Sequence, residues 1–236
     1  MTIVVALGWM LAIGSQLSGT AALLHHHALI EDGPPLWIAI PVSLIGWQVM
    51  LAAMMLPASL PTIHVVADSL RDAPRWRTQL QFLGAFALAW TTFGLFAFMG
   101  DFVLHHIVDA TPWLGARPWL IEGGVLGLAG GYQLSPMKRQ MLNACRHPTT
   151  LLAAGADHPG SLALGMRHGL DCLGSSWALM LLMFAEGFAN LWWMAALTAV
   201  MVYEATNHHG QRVAIAVGLV LLALSFATIA GGWFAP

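Results

Sequence analysis

The residues of this sequence best suited to chemistry lie in one short segment of its second half. If that segment is helical, His168, Cys172 and Ser175 share a face and Asp171 lies beside it, because helical residues three or four apart are neighbours. Imidazole, carboxylate and thiol are all metal-ligand types, and here they fall within one helical turn. The spacing therefore predicts half of a metal site, which neighbouring helices must complete.

Further candidate donors fall at the same predicted level of the molecule. They are Met54, Met55, Cys145, His147, Glu204 and His208. Methionine and thiolate together favour reduced copper, whereas imidazole and carboxylate widen the choice to nickel or zinc. Each donor also has an ordinary interpretation. Methionine pairs fill cores, a single thiol is often a small buried hydrophobe, and Glu204 could pair with Arg212.

A second group of candidate ligands is predicted at the opposite level. It comprises Asp101, His105, His106, His25, His26 and His27. Asp101 and His105 are four residues apart, so on a helix they could hold one ion. Two alternatives stay open: a polar rim of interfacial histidines, or a haem held between paired imidazoles.

Composition identifies the environment in which these residues must be placed. Of 236 residues, 58% are hydrophobic and only 8% are charged. A water-soluble domain carries about a quarter charged residues, so lipid is expected to cover most of this surface. The net charge of −2 provides no basic field for nucleic acid, and nucleic-acid binding is not expected.

The apolar stretches predict an all-α fold, a polytopic transmembrane bundle forming a single integral membrane domain over residues 1–236. About 20 apolar helical residues span the hydrocarbon of a bilayer. Seven stretches approach that length, and six spans are possible because the fifth and sixth nearly fuse. They run over residues 3–24, 36–56, 80–100, 118–134, 164–185, 188–203 and 213–230.

The basic residues predict the orientation of the bundle. Eight of the nine Lys and Arg side chains fall in even-numbered loops, and Arg117 is the exception. Short basic loops stay in the cytoplasm, so the N-terminus is predicted to be cytoplasmic. Both cysteines then lie near the reducing side and are expected to be thiols. Gly123, Gly127 and Gly131 form a stripe of small residues that predicts close helix packing.

Four strings in the chain carry a family resemblance. They are MMLP at 54–57, AGGYQLSPMK at 129–138, CRHP at 145–148 and HGLDCLGSSWALM at 168–180. In this order they resemble a bacterial family of integral membrane proteins of unknown function that is described as metal-binding. The resemblance covers roughly residues 45–205. It implies a metal site near Cys172, but Ser175 and Ser176 stand where that family typically has two further thiols.

These observations predict a bacterial inner-membrane protein that handles a transition metal, copper first and nickel or zinc next, for transport, delivery or storage. The expected partners are the lipid bilayer and a membrane or periplasmic protein. The alternative is a non-catalytic subunit of a larger membrane complex. A membrane-embedded enzyme is less favoured, because the sequence has no metalloprotease, phosphate-loop or nucleophile-elbow motif.

Overall fold

The computed structural model describes residues 2–20, 34–70, 74–147, 152, 160–186 and 190–234. Every regular element within these ranges is a helix, which confirms the all-α prediction. The helices in chain order are α1 Thr2–Leu17, α2 Leu36–Met54, α3 Leu56–Ser69, α4 Arg75–Ala110, α5 Pro112–Gly115, α6 Pro118–Gln133, α7 Pro136–Arg146, α8 Ser161–Glu186, α9 Leu191–Thr206 and α10 Gly210–Phe234.

Helices occupy most of the described part of every predicted span, but only three of the described helices are long and apolar enough to cross a membrane. These are α2, α4 and α10. The 16-residue helices α6 and α9 are each about 24 Å long at 1.5 Å per residue, less than the hydrocarbon thickness of about 30 Å. Helix length and hydropathy therefore do not support seven crossings. That count and the cytoplasmic N-terminus stay predictions.

Proline explains why the second apolar stretch becomes two helices. Pro57 has no N–H to donate to the carbonyl of Ala53, four residues earlier, so the helical ladder is interrupted there. The chain turns at Met55, and α3 begins at Leu56. The indole N–H of Trp9, on α1, donates to the Ala53 carbonyl at 3.1 Å and satisfies it. Met55 is thereby held at a helix junction inside the bundle.

Small residues let α8 run close beside α4. A Cβ on Gly165 would lie 2.7 Å from Cα of Phe82, and a Cβ on Gly169 would lie 3.3 Å from Cα of Phe86. Because both residue numbers rise together along the contact, the two helices are parallel. Phe82 and Phe86 also lie against the ring of His168, at 5.6 and 5.8 Å between centroids.

The glycine stripe of α6 packs against α10. A Cβ on Gly127 would meet the Ser225 hydroxyl at 3.0 Å, and a Cβ on Gly130 would meet the Gly218 carbonyl oxygen at 2.9 Å. Gly131 has open space around its Cβ position. The predicted close packing is therefore present, but its third member is Gly130 and not Gly131, because helical neighbours can be three or four residues apart.

This difference between adjacent glycines yields a stability test. Gly130→Ala forces a methyl group against the backbone of α10, and we expect it to lower the free energy of unfolding by about 1–3 kcal/mol. Gly131→Ala meets no neighbour, and the better helix propensity of alanine is expected to stabilise by up to about 1 kcal/mol. Thermal unfolding of both variants in detergent checks this. Equal melting temperatures would contradict the described packing of α6 on α10.

Candidate metal centre

Two cysteines and a methionine meet in the core of the bundle. The Cys172 thiol, on α8, lies 4.0 Å from the Met55 sulfur at the α2–α3 junction. The Cys145 thiol, near the end of α7, is close enough to Cys172 for the second thiol to raise its pKa. All three side chains are buried in one apolar cluster that also contains Met54. The structure thus brings together sulfur donors that are separated by up to 117 residues in sequence.

Local sequence explains why Cys145 faces this cluster. The Ser135 hydroxyl caps α7 by accepting the backbone N–H of Lys138 at 3.1 Å, and Pro136 occupies the first turn. Lys138, Leu142 and Cys145 then follow at intervals of four and three residues, and they are the buried residues of this helix. Cys145 therefore shares the inward face of α7.

The chemistry of the three sulfur atoms fits a soft monovalent ion. Thiolate and thioether donors select reduced copper, and oxygen donors are not needed for it. The contact with the Cys172 thiol, followed by burial, raises the pKa of Cys145 well above its ordinary value. The Cys145 thiol is consequently protonated at neutral pH, and a bound metal would have to displace its proton.

A second contact joins α8 and α3 one helical turn away. His168 Nε2 lies 3.1 Å from the Ser59 hydroxyl, and His168 is 2% exposed. His168 and Cys172 are four residues apart, as are Ser59 and Met55, so the two contacts form successive rungs between the helices. His168 is thus on the same face as Cys172, as the sequence predicts, and its imidazole is engaged with a hydroxyl.

Glu204 and Lys138 form an ion pair beside the sulfur cluster. Lys138 Nζ donates to Glu204 Oε2 at 2.6 Å and to the Ser175 carbonyl at 2.5 Å. Gln133 donates to Glu204 Oε1 at 2.7 Å. Lys138 and Glu204 are 0% and 1% exposed. The partner of Glu204 is therefore Lys138, not Arg212, and both carboxylate oxygens are engaged.

The serines that follow Cys172 also belong to this polar network. The Ser175 hydroxyl donates to the carbonyl of Cys172 at 2.9 Å and lies 3.2 Å from the Ser176 hydroxyl. Ser175 is on the face of Cys172, but its oxygen is turned back to the helix backbone. The two serines therefore add hydrogen bonds where thiols would add soft donors.

The remaining inner candidates lie at the margin of the centre. Asp171 is half-buried, and His147 and His208 are exposed. His147 Nδ1 lies 2.8 Å from the Asn143 carbonyl. The ring of His208 is 3.8 Å from that of His209. These side chains do not join the sulfur cluster.

The outer candidates form a separate group at the far end of α4. His105 Nδ1 lies 2.9 Å from the carbonyl oxygen of Asp101 and 3.5 Å from its carboxylate. His106 is exposed and lies against Phe102, with 4.4 Å between ring centroids. The histidines at positions 25, 26 and 27 fall outside the described residues.

His, Cys, Asp and Glu side chains do not make up this centre by themselves. Within the described ranges, no three side chains of those types come close enough to hold one metal ion. The site is recognised only when methionine is counted as a donor. Sequence reasoning had named all three sulfur residues but missed Ser59, Gln133 and Lys138. Gln133 and Lys138 belong to the string at 129–138, which is part of the family resemblance. That string was the sequence feature that could have identified them.

The buried ion pair yields a prediction about stability. Lys138→Met leaves the Glu204 carboxylate buried without its cation, and we expect a loss of about 3–5 kcal/mol in the free energy of unfolding. Adding Glu204→Leu should recover most of that loss, because no charge then stays buried. The control is Arg75→Ala, which removes an exposed pair with Asp68 and should cost at most about 1 kcal/mol. Unfolding in detergent measures all three variants, and a Lys138→Met protein as stable as Arg75→Ala would refute the network.

Comparison with known proteins agrees with the chemistry of the sulfur cluster. The sequence matches a family described as PpoB2, copper chaperone, over residues 44–228. That range covers most of the chain and contains Met55, Cys145 and Cys172. No curated protein and no solved structure gives a match. The chain belongs to the PpoB2 family of copper chaperones.

Proposed function

We propose that this protein holds one cuprous ion between Met55, Cys145 and Cys172 and passes it to a recipient protein. The observation that carries the proposal is the convergence of two thiols and a thioether in a buried cluster of a chain from a copper chaperone family. Two thiolates and a thioether form a three-coordinate soft site, and the surrounding apolar residues exclude water from it.

The proposed site is assembled from three separate helical elements. Met55 comes from the α2–α3 junction, Cys145 from α7 and Cys172 from α8. Cys145 is the most exposed of the three at 7%, compared with 1% for Met55 and 2% for Cys172. Transfer of copper to a partner is therefore proposed to begin at Cys145, because an incoming ligand reaches that thiol first. The partner is proposed to be a membrane or periplasmic protein.

Membrane placement is the second part of the proposal. Helices α2, α4 and α10 are long and apolar enough to cross a bilayer, which is compatible with an integral membrane protein. We propose the bacterial inner membrane, with the basic ends of α4 and α7 on the cytoplasmic side. Arg75 and Arg77 lie at the start of α4, and Arg146 lies at the end of α7. The sulfur cluster then lies toward the cytoplasmic half.

The proposed ligands make a direct prediction for copper content. Cys145→Ser and Cys172→Ser should each weaken cuprous binding, and the double variant should lose it, because hydroxyls are poor ligands for a soft ion. Met55→Leu keeps the apolar volume and should weaken binding without unfolding the protein. Copper is measured by elemental analysis after purification in detergent and by competition with a cuprous chelator.

A buried methionine elsewhere on α8 provides the matched control. Met183 is 0% exposed and lies eleven residues beyond Cys172, about 16 Å along the helix. Met183→Leu should bind copper as the unmodified protein does. Equal copper content in the double cysteine variant and in Met183→Leu would contradict the proposed sulfur site.

A test at His168 distinguishes a copper site with only sulfur ligands from one that also has a nitrogen ligand. Because its Nε2 is engaged with Ser59, we expect His168→Gln to keep its copper, provided that the amide maintains the hydrogen bond. X-ray absorption at the copper edge should then show only sulfur neighbours in both proteins. Nitrogen in the first coordination shell, lost in His168→Gln, would instead make the imidazole a ligand.

A further inference from the structure

A cavity of about 620 Å³ lies at the other end of the bundle, among α4, α5, α6 and α8. Its size is in the range of small-molecule sites, which are about 300–1,000 Å³. Trp177 and Leu181 of α8 contribute to its wall. Both come after Cys172 along α8, so the cavity is displaced from the sulfur cluster toward the C-terminal ends of α8 and α4.

The wall contributed by α4 changes from apolar to acidic along its length. Phe93, Phe96 and Ala97 line the first part, and Asp101, His105 and Asp109 follow at intervals of four residues on the same face. From Phe93 to Asp109 this stripe is about 24 Å long at 1.5 Å per residue. An elongated ligand with one apolar end and one cationic end would match it.

Charge narrows the choice of ligand. Glu122 of α6 adds a third carboxylate to the lining, and no Lys or Arg is among the described residues that line the cavity. Asp109 and Glu122 are exposed, so they form the open side. Carboxylates within hydrogen-bonding reach favour an ammonium group that donates several N–H bonds. A bare metal ion is less suitable, since the described residues include no group of three His, Cys, Asp or Glu ligands.

Arg117 is next to the cavity in sequence but is not one of the residues that line it. It lies between Gly115 and Pro118, which both do. Its guanidinium donates to the Trp113 carbonyl at 2.9 Å and lies 4.8 Å from the centre of the Trp113 ring. The charges of the described lining are therefore those of carboxylates, and they favour a ligand with a cationic end.

We propose that this cavity binds a phospholipid whose head group carries a primary ammonium, such as phosphatidylethanolamine. The ammonium contacts the exposed carboxylates of Asp109 and Glu122, and one acyl chain lies along Phe93 and Phe96. The inference rests on the membrane placement proposed above, but it does not depend on copper. The lipid positions the outer ends of α4 and α6 relative to each other.

Lipid selectivity tests the proposal. Purified, delipidated full-length protein is mixed with phosphatidylethanolamine, phosphatidylcholine or phosphatidylglycerol of identical acyl chains, and native mass spectrometry measures the bound fraction. We expect phosphatidylethanolamine to be retained severalfold more than phosphatidylcholine, whose trimethylammonium group donates no hydrogen bond. Phosphatidylglycerol, which has no ammonium, should be retained least. Equal retention of the three lipids would overturn the proposal.

Variants of the rim identify the cavity as the site. Asp109→Asn with Glu122→Gln changes two exposed carboxylates and should equalise the retention of the ethanolamine and choline lipids. Asp68→Asn is the matched control, because Asp68 is an exposed carboxylate paired with Arg75 near the start of α4. An unchanged preference in the double rim variant would contradict the inference.

Two further measurements separate this inference from the others. If dodecylamine binds in a rim-dependent way but phosphatidylethanolamine does not, the cavity takes a free amphiphilic amine and the lipid proposal is wrong. Copper content is measured on the same samples and should be unchanged in the rim variants. A protein that selects the ethanolamine lipid but binds no copper would contradict the proposed function alone.

Discussion

The arrangement of the core depends on one interaction, the buried ion pair that the Lys138 ammonium forms with Glu204. The ammonium contacts Glu204 on α9 and the Ser175 carbonyl on α8, and Gln133 at the end of α6 binds the same carboxylate. A charge in an apolar interior is tolerated only when it is paired and hydrogen-bonded. Here both conditions are met, and four helices are held in one register.

That register decides where the thiol of Cys145 lies. Lys138 and Cys145 are seven residues apart on the short helix α7, so they share a face, and fixing one fixes the other. A glycine assists the close approach of α7 to α8, because a Cβ on Gly174 would lie 2.8 Å from Cγ of Met141. The polar network and the sulfur cluster are therefore parts of one structural unit. The polar network positions the sulfur atoms but supplies no metal ligand itself.

The α2–α3 junction provides the other half of this unit. Pro57 interrupts the helix, Trp9 satisfies the carbonyl that the proline leaves without a donor, and Met55 is held at the turn. The side chains of Met55 and Ser59 then meet Cys172 and His168 in successive rungs. One rung consists of soft sulfur donors, and the next consists of nitrogen and oxygen groups. The two rungs are one helical turn apart, and the apolar residues around them exclude water.

Local patterns in the sequence determined the helical class, the inward face that Cys172 shares with His168, and the types of donor available, because helical periodicity and composition are local properties. They also singled out Met55 and Cys145, through motifs.

The tertiary structure alone decided that Lys138 pairs with Glu204 and that Cys145 meets Cys172, since these contacts join residues 66 and 27 positions apart. It also placed Asp101 and His105 in the wall of a cavity at the other end of the bundle. Long-range contacts of this kind depend on how helices cross, and crossing geometry depends on the packing of small residues in several helices at once.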